Sequence, residues 1–151
     1  MAGRVLGLDY GTKTVGVAIS DPLLLTAQEL ETITRERASA LRHTLVRIKD
    51  ICEEYQVEQI VLGYPRNMDD TEGFRCEDTM KFKALLEKRV DIPITLVDER
   101  LTTVYADEIL EESGVDKKDR KKYIDQIAAA IILQDYLDNF RSKYGTNLFT
   151  R

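Results

Sequence analysis

Four acidic residues stand where packing does not call for them. Asp9 ends the apolar run VLGLD, Asp98 and Glu99 follow the apolar run ITLV, and Asp125 falls inside YIDQIAAAIIL. A carboxylate buried among aliphatic side chains is costly unless it is paired, hydrogen-bonded or bound to a cation. Asp9 has a bland explanation, an Asx hydrogen bond that starts the Gly-rich turn after it. Asp98 and Glu99 have one too, as charges at the N-terminus of a following helix. Asp125 resists both. At about 100° per residue its helical neighbours are Ala128, Ala129, Ile132 and Tyr136, so it shares an apolar stripe and points inward. Acids from three distant segments are most simply compensated together, by divalent cations.

Hard oxygen ligands with no His or Cys nearby select Mg²⁺ or Mn²⁺. Two such ions about 3.5 to 4 Å apart activate a water and stabilise the leaving oxygen of a phosphodiester. Hydrolysis of nucleic acid fits that chemistry. Cations that would hold its backbone are Lys13, Arg66 in the loop GYPRNMDDTEGFR, and the run Lys117, Lys118, Arg120, Lys121, Lys122, which puts five cations into six positions. The competing reading of that run is a solvated loop.

The elements that must position these residues follow from periodicity. Val5 to Asp9 and Thr14 to Ser20 read as an antiparallel hairpin, broken by Asp21-Pro22, and Ala27 to Ile33 as a third, edge strand. Leu41, Leu45, Ile48, Cys52 and Tyr55, at steps of four and three, mark the buried stripe of a helix. A strand over Gln59 to Gly63 precedes the polar loop. A helix from Cys76 to Arg89 is expected to bury Met80, Leu85 and Leu86, with Pro93 closing it off. Ile94 to Val97 is the next strand, followed by a helix over Thr102 to Glu112 that Gly114 terminates, then a basic loop and a last helix from Asp119 to Phe140. This order predicts an α/β fold: a mixed sheet in which a three-stranded antiparallel meander is extended by parallel strands, with helices on both faces.

Composition bounds the rest. A chain of 151 residues is one domain, expected over residues 1–140, with 141–151 as a tail lacking periodicity. Its net charge of −5 excludes a uniformly basic coat for nucleic acid, yet not a site whose acids surround metal ions. Cys52 and Cys76 are far apart in sequence, with His43 as the only other soft ligand, which argues against a zinc cluster and for a reducing cytoplasm. Cys52 reads as a core residue and Cys76 as incidental. The longest apolar run, Ile127 to Leu133, is too short for a membrane span, so no membrane partner is expected. Asp107, Glu108, Glu111 and Glu112 form like-charged i,i+4 pairs and read as a solvated helix face.

Taken in order, DYGTKTVGVAISD, GYPRNMD, DERLTT and DQIAAAIIL resemble the YqgF family, also called RuvX, from about Arg4 to Phe140. The resemblance implies a ribonuclease H-like fold and a carboxylate metal site at Asp9, Glu99 and Asp125, with Asp98 as a further candidate ligand. It also implies a nuclease acting on structured RNA, in maturation of the small-subunit ribosomal RNA precursor, or on branched DNA as a Holliday junction resolvase, either as a monomer or as a homodimer. Two departures stand out. Asp70 occupies the position after NMD where the family commonly has Gly, and Ala128 and Ala129 stand about one turn after Asp125, where related RuvC resolvases carry a fourth acid. A noncatalytic nucleic-acid-binding module on the same fold is the runner-up. An ATPase of the actin and sugar-kinase type, suggested by DYGTKTVG, is disfavoured because that architecture clamps its nucleotide between two such domains.

Overall fold

A computed structural model describes residues 3–65, 73–99, 108–114 and 116–144. The hairpin forms as β1 (Arg4–Tyr10) and β2 (Thr14–Ser20), in a register that sets Asp9 opposite Gly16 and Tyr10 opposite Val15. β3 (Ala27–Thr34) pairs with β2 and lies at one edge, while β4 (Val57–Tyr64) runs parallel to β1 and β5 (Ile94–Asp98) parallel to β4. The order β3-β2-β1-β4-β5 is the predicted meander extended by parallel strands. Where the β1–β4 register shifts between Arg4 and Val5, the buried Ser20 hydroxyl accepts the Val5 N–H at 2.8 Å. That hydroxyl satisfies a donor at an irregularity of the ladder.

Alternation along the strands divides the core in two. Leu6, Leu8, Val15, Val17, Ile60 and Leu62 face α1 (Arg42–Glu54) and α2 (Phe74–Glu87). Val5, Ala18 and Val61 face the other way, onto α3 (Lys117–Tyr144) through Ala129, Ile132, Leu133 and Leu137. Helices therefore cover both faces. The α1 stripe is as expected, with Leu45, Ile48 and Cys52 buried and His43 exposed.

The expected core face of α2 is corrected. Met80 and Leu85 are 40% and 38% exposed, and the buried stripe is Cys76, Thr79, Phe82 and Leu86. Thr79 can belong to it because its hydroxyl donates to the Arg75 carbonyl at 2.8 Å, and Cys76 is a core residue rather than an incidental one. The bounds of the last helix are also corrected: α3 starts at Lys117, two residues before the expected Asp119, so Lys117 and Lys118 join the rest of the run in its first turns instead of a loop, and the helix continues past Phe140 to Tyr144. Lys and Arg are good helix formers, and nothing in the run breaks a helix. Of the helix predicted over Thr102 to Glu112, residues 108–112 are helical, residues 102–107 lie outside the described residues, and Leu110 packs against Ile127 of α3. Gly114 terminates it with φ +78, and Glu108, Glu111 and Glu112 are exposed as expected.

Glycines on the sheet let α3 come close. A Cβ added at Gly16 would overlap the Asp125 backbone carbonyl, and one at Gly63 would lie 2.6 Å from Ile132 Cδ1 and 2.7 Å from Glu99 Cδ. Ala128 and Ala129 supply the matching small surface on the helix. At the far side Gln134 clasps the β2–β3 connection: its Oε1 accepts the Ala27 N–H at 2.8 Å and its Nε2 donates to the Leu25 carbonyl at 3.1 Å. In the same connection Asp21 accepts the N–H groups of Leu23, Leu25 and Thr26. Because backbone cannot yield as a flexible side chain would, Gly16→Ala is expected to cost about 1–3 kcal/mol or more, the usual range for overpacking. In a domain of this size that lowers the melting temperature by roughly 2–4 °C per kcal/mol, readable by thermal denaturation.

Candidate active site

Asp9 sits one residue before the end of β1 and is paired opposite Gly16, so it shares the α3 side of the sheet with Gly7 and Gly16. Glu99 follows β5 directly. Its N–H donates to the Tyr64 carbonyl at 3.2 Å, and its carboxyl lies over Gly63, on the same side as Asp9. Asp98 ends β5 opposite Tyr64 and is exposed, as strand alternation requires of its neighbour. Asp125 lies on α3, half-buried, with its backbone against Gly16.

Asp9 and Glu99 meet in a side-chain hydrogen bond. Burial, then the Asp9 charge and that hydrogen bond, push the Glu99 carboxyl up to about 10, while the Arg75 cation opposes the shift. Burial also raises Asp9. The hydrogen bond from Glu99 and the charge of Arg75 work against that rise, and the charge of Asp125 adds to it. The consistent arrangement is a shared proton resident on Glu99, which donates to the Asp9 carboxylate. Glu99 Oε1 is buried and, among the described residues, has no hydrogen-bond partner. Asp125 acts on Asp9 through its charge alone. Among the described residues no group of three or more His, Cys, Asp or Glu side chains stands close enough to hold a metal ion.

The structure thus brings Asp9 and Glu99 into contact, sets Asp125 within electrostatic reach, and turns Asp98 outward. Lys13 is exposed in the hairpin turn, and its carbonyl accepts the Arg35 N–H at 2.9 Å. Arg66 lies outside the described residues. The run Lys117, Lys118, Arg120, Lys121, Lys122 precedes Asp125 on the same helix, and its side chains lie outside the described residues.

Two arginines were missed. Arg75, exposed in the first turn of α2, is the cation whose charge reaches both Asp9 and Glu99. It closes the same polar segment from which Arg66 was chosen, and the α2 start at Phe74 would have marked it. Arg35, 8% exposed, donates through Nη2 to the carbonyls of Gly11 and Thr12, both at 2.6 Å, and through Nε to Ala38 at 3.2 Å. Its guanidinium lies 4.9 Å from the centre of the Tyr10 ring, which stacks on Phe82 at 4.2 Å. No local signal in the sequence marks Arg35, because the Gly11 and Thr12 carbonyls that it holds lie more than twenty residues away.

A mixed five-stranded sheet in this order, with acids at the ends of parallel strands beneath a helix that brings another, defines a ribonuclease H-like protein. The fold is shared with Thermus thermophilus RuvC solved with a Holliday junction substrate, at a TM-score of 0.53 and 14% identity over 95% of this chain and 97% of that one. It is shared equally with the fowlpox virus Holliday junction resolvase, at a TM-score of 0.54 and 14% identity over 91% and 99% of the two chains. The chain belongs to the RuvX family, described as Holliday junction resolvase, whose pattern it matches over residues 3–139. It is 57% identical over 136 residues, 90% of this chain and 97% of the relative, to a Lachnospira eligens protein named "Putative pre-16S rRNA nuclease". A Lactobacillus johnsonii protein of the same name is 53% identical over 140 residues, 91% of this chain and 97% of the relative.

A carboxyl whose folded value lies near 10 favours the folded state only while it is protonated in the unfolded chain as well, below its ordinary value of 4.5. As pH rises from there toward 10 the unfolded chain releases the proton and the folded one keeps it, so stability falls. In metal-free protein, Glu99→Gln is therefore expected to raise the melting temperature at neutral pH and to flatten its decline between pH 5 and 9. Thermal melts of both proteins in EDTA check this.

Proposed function

We propose that this protein is a divalent-metal-dependent endonuclease that hydrolyses phosphodiester bonds of structured RNA in the cytoplasm, with processing of precursor 16S ribosomal RNA as its role. The names of its relatives support the substrate. The observation that carries the chemistry is the half-buried Asp9–Glu99 pair, with the buried Glu99 Oε1 unpartnered among the described residues and Asp125 alongside. Two carboxyls buried together are costly, and an oxygen-only donor set with a free lone pair suits a hard cation.

Asp9, Glu99 and Asp125 would hold Mg²⁺ or Mn²⁺, with exposed Asp98, on the other face of β5, as a further candidate. When bound, the ion supplies a Lewis acid and a more acidic water. Glu99 must first release its proton, so metal affinity rises with pH as long as Glu99 remains protonated in the free protein. Asp9 then becomes a full acceptor instead of sharing that proton. α3 closes the α3 side of the pair and keeps bulk water from its apolar flank, through Ala129, Ile132 and Leu133. Lys13 and the basic first turns of α3 would track the phosphate backbone on either side of the acids.

Resolution of a four-way DNA junction is the same hydrolysis on another substrate, and the family description favours testing it. Precursor ribosomal RNA and a four-way DNA junction are to be offered side by side with Mg²⁺, Mn²⁺ or EDTA. RNA cleavage with either metal and none with EDTA is expected. Binding without cleavage of either substrate identifies a binding module instead. Asp9→Asn is expected to lower cleavage by at least about 10³-fold, the scale of losing one essential electrostatic group, while leaving circular dichroism unchanged. Metal should raise the melting temperature of the wild type by mass action and that of Asp9→Asn much less. Replacing Lys121 and Lys122 together by Ala is expected to weaken RNA binding across sequences and to reduce the salt slope by up to about 0.7 per lost contact, with a smaller effect on turnover at saturation.

A further inference from the structure

A cleft opens on the α2 side of the sheet at the end of β1, bounded by Tyr10, the residue after Asp9, by Gly11 and Thr12 of the hairpin, by Ala38, and by Arg75 and Asp78 of α2. Its hairpin wall is fixed in place. Arg35 holds the carbonyls of Gly11 and Thr12, the Gly11 N–H donates to Thr14 at 2.7 Å, and the Tyr10 ring is clamped between the Arg35 guanidinium and Phe82. Its helix wall presents Arg75, exposed and, among the described residues, in no ion pair. The cleft adjoins the acids along the chain, since Tyr10 directly follows Asp9 at the end of β1, and the Arg75 charge opposes the shifts of both Asp9 and Glu99.

We propose that this cleft is the subsite for the nucleotide flanking the bond to be cut, and that Arg75 grips its phosphodiester. The inference rests on the nuclease reading and adds a substrate-binding residue to it. The chemistry of the walls selects among anions. A free phosphate or a nucleoside triphosphate would bring two or more charges against Asp78 as well as against the acids. A phosphodiester brings a single charge, and the sugar beside it offers a donor to the Asp78 carboxylate. Arg suits the task because its planar fork can hold two phosphate oxygens at once. With the hairpin wall already ordered by Arg35, the strand would meet a preformed surface, and little further ordering would be needed on binding.

The test separates gripping from neutralising. In full-length Asp9→Asn protein, which binds without cutting, RNA affinity is measured across a salt series for Arg75 intact, Arg75→Ala and Arg75→Lys. Arg75→Ala is expected to weaken binding roughly tenfold, about the loss of one charge-assisted contact, and to lower the salt slope by about 0.7. Arg75→Lys should recover the slope but only part of the affinity. Neither ATP nor inorganic phosphate at millimolar concentration should compete. Mn²⁺ binding to otherwise wild-type Arg75→Ala, followed by thermal shift, should tighten modestly, because the Arg75 charge opposes the shifts of both acids. The inference is overturned if Arg75→Ala leaves RNA affinity and salt slope unchanged while tightening Mn²⁺ binding, since Arg75 then only neutralises the acids. Competition by ATP would overturn it too. If the Arg75-intact protein binds no RNA at all and the wild type cuts none, the nuclease reading itself fails, a result distinct from both.

Discussion

The distance between α3 and the sheet decides nearly everything else in this molecule. A helix packed on a sheet usually stands off by the length of the side chains between them. Here Gly16 and Gly63 remove those side chains on the sheet, Ala128 and Ala129 shorten them on the helix, and the Asp125 backbone comes to rest where a Cβ of residue 16 would be. Only that approach puts a helix-borne carboxylate within electrostatic reach of one that ends a strand. Asp9 is paired directly opposite Gly16, so the position emptied to admit the helix is also the neighbour of the acid that the helix serves.

Concentrating negative charge in this way has a thermodynamic cost, met in the free protein in two ways. A proton is retained between Asp9 and Glu99, and the charge of Arg75 opposes both shifts, while the charge of Asp125 adds to the rise at Asp9. One buried Glu99 oxygen still has no partner among the described residues. On the proposed metal-dependent reading, such a site would exchange its proton for a divalent cation, and the stability of the fold would be coupled to whichever of the two is present.

The acids were legible in the sequence because an ionisable group among aliphatic residues contradicts its surroundings, and that contradiction survives without knowing the fold. Which of Asp98 and Glu99 lies beside Asp9 was not. It depends on which face of β5 meets α3, a fact settled by Gly63 on the neighbouring strand. The meander and the parallel extension followed from strand and helix order. The face of α2 did not, because Met80 and Leu85 compete on paper with Cys76, Thr79 and Phe82, and only the Arg75 carbonyl that accepts from Thr79 makes a polar residue acceptable in the core. The basic run hid the start of α3, since dense charge suggests solvent and says little about backbone. Arg35 was beyond reach altogether, its role being defined by carbonyls in a hairpin formed far earlier in the chain.

The clasp made by Gln134 turns α3 into a measured rod. Its amide is bound to both sides of the backbone between Leu25 and Ala27, so the helix can neither slide along the sheet nor roll on it without breaking two hydrogen bonds. Asp125 lies nine residues upstream of that fixed point, about 13.5 Å along the axis at the rise of an α-helix. Loss of one residue between them would draw the carboxylate in by about 1.5 Å and swing it through roughly 100°, off the sheet and away from Asp9. The number of residues separating Gln134 from Asp125 is thus a component of the site in its own right, and substitutions in that interval are tolerable where a change of length is not.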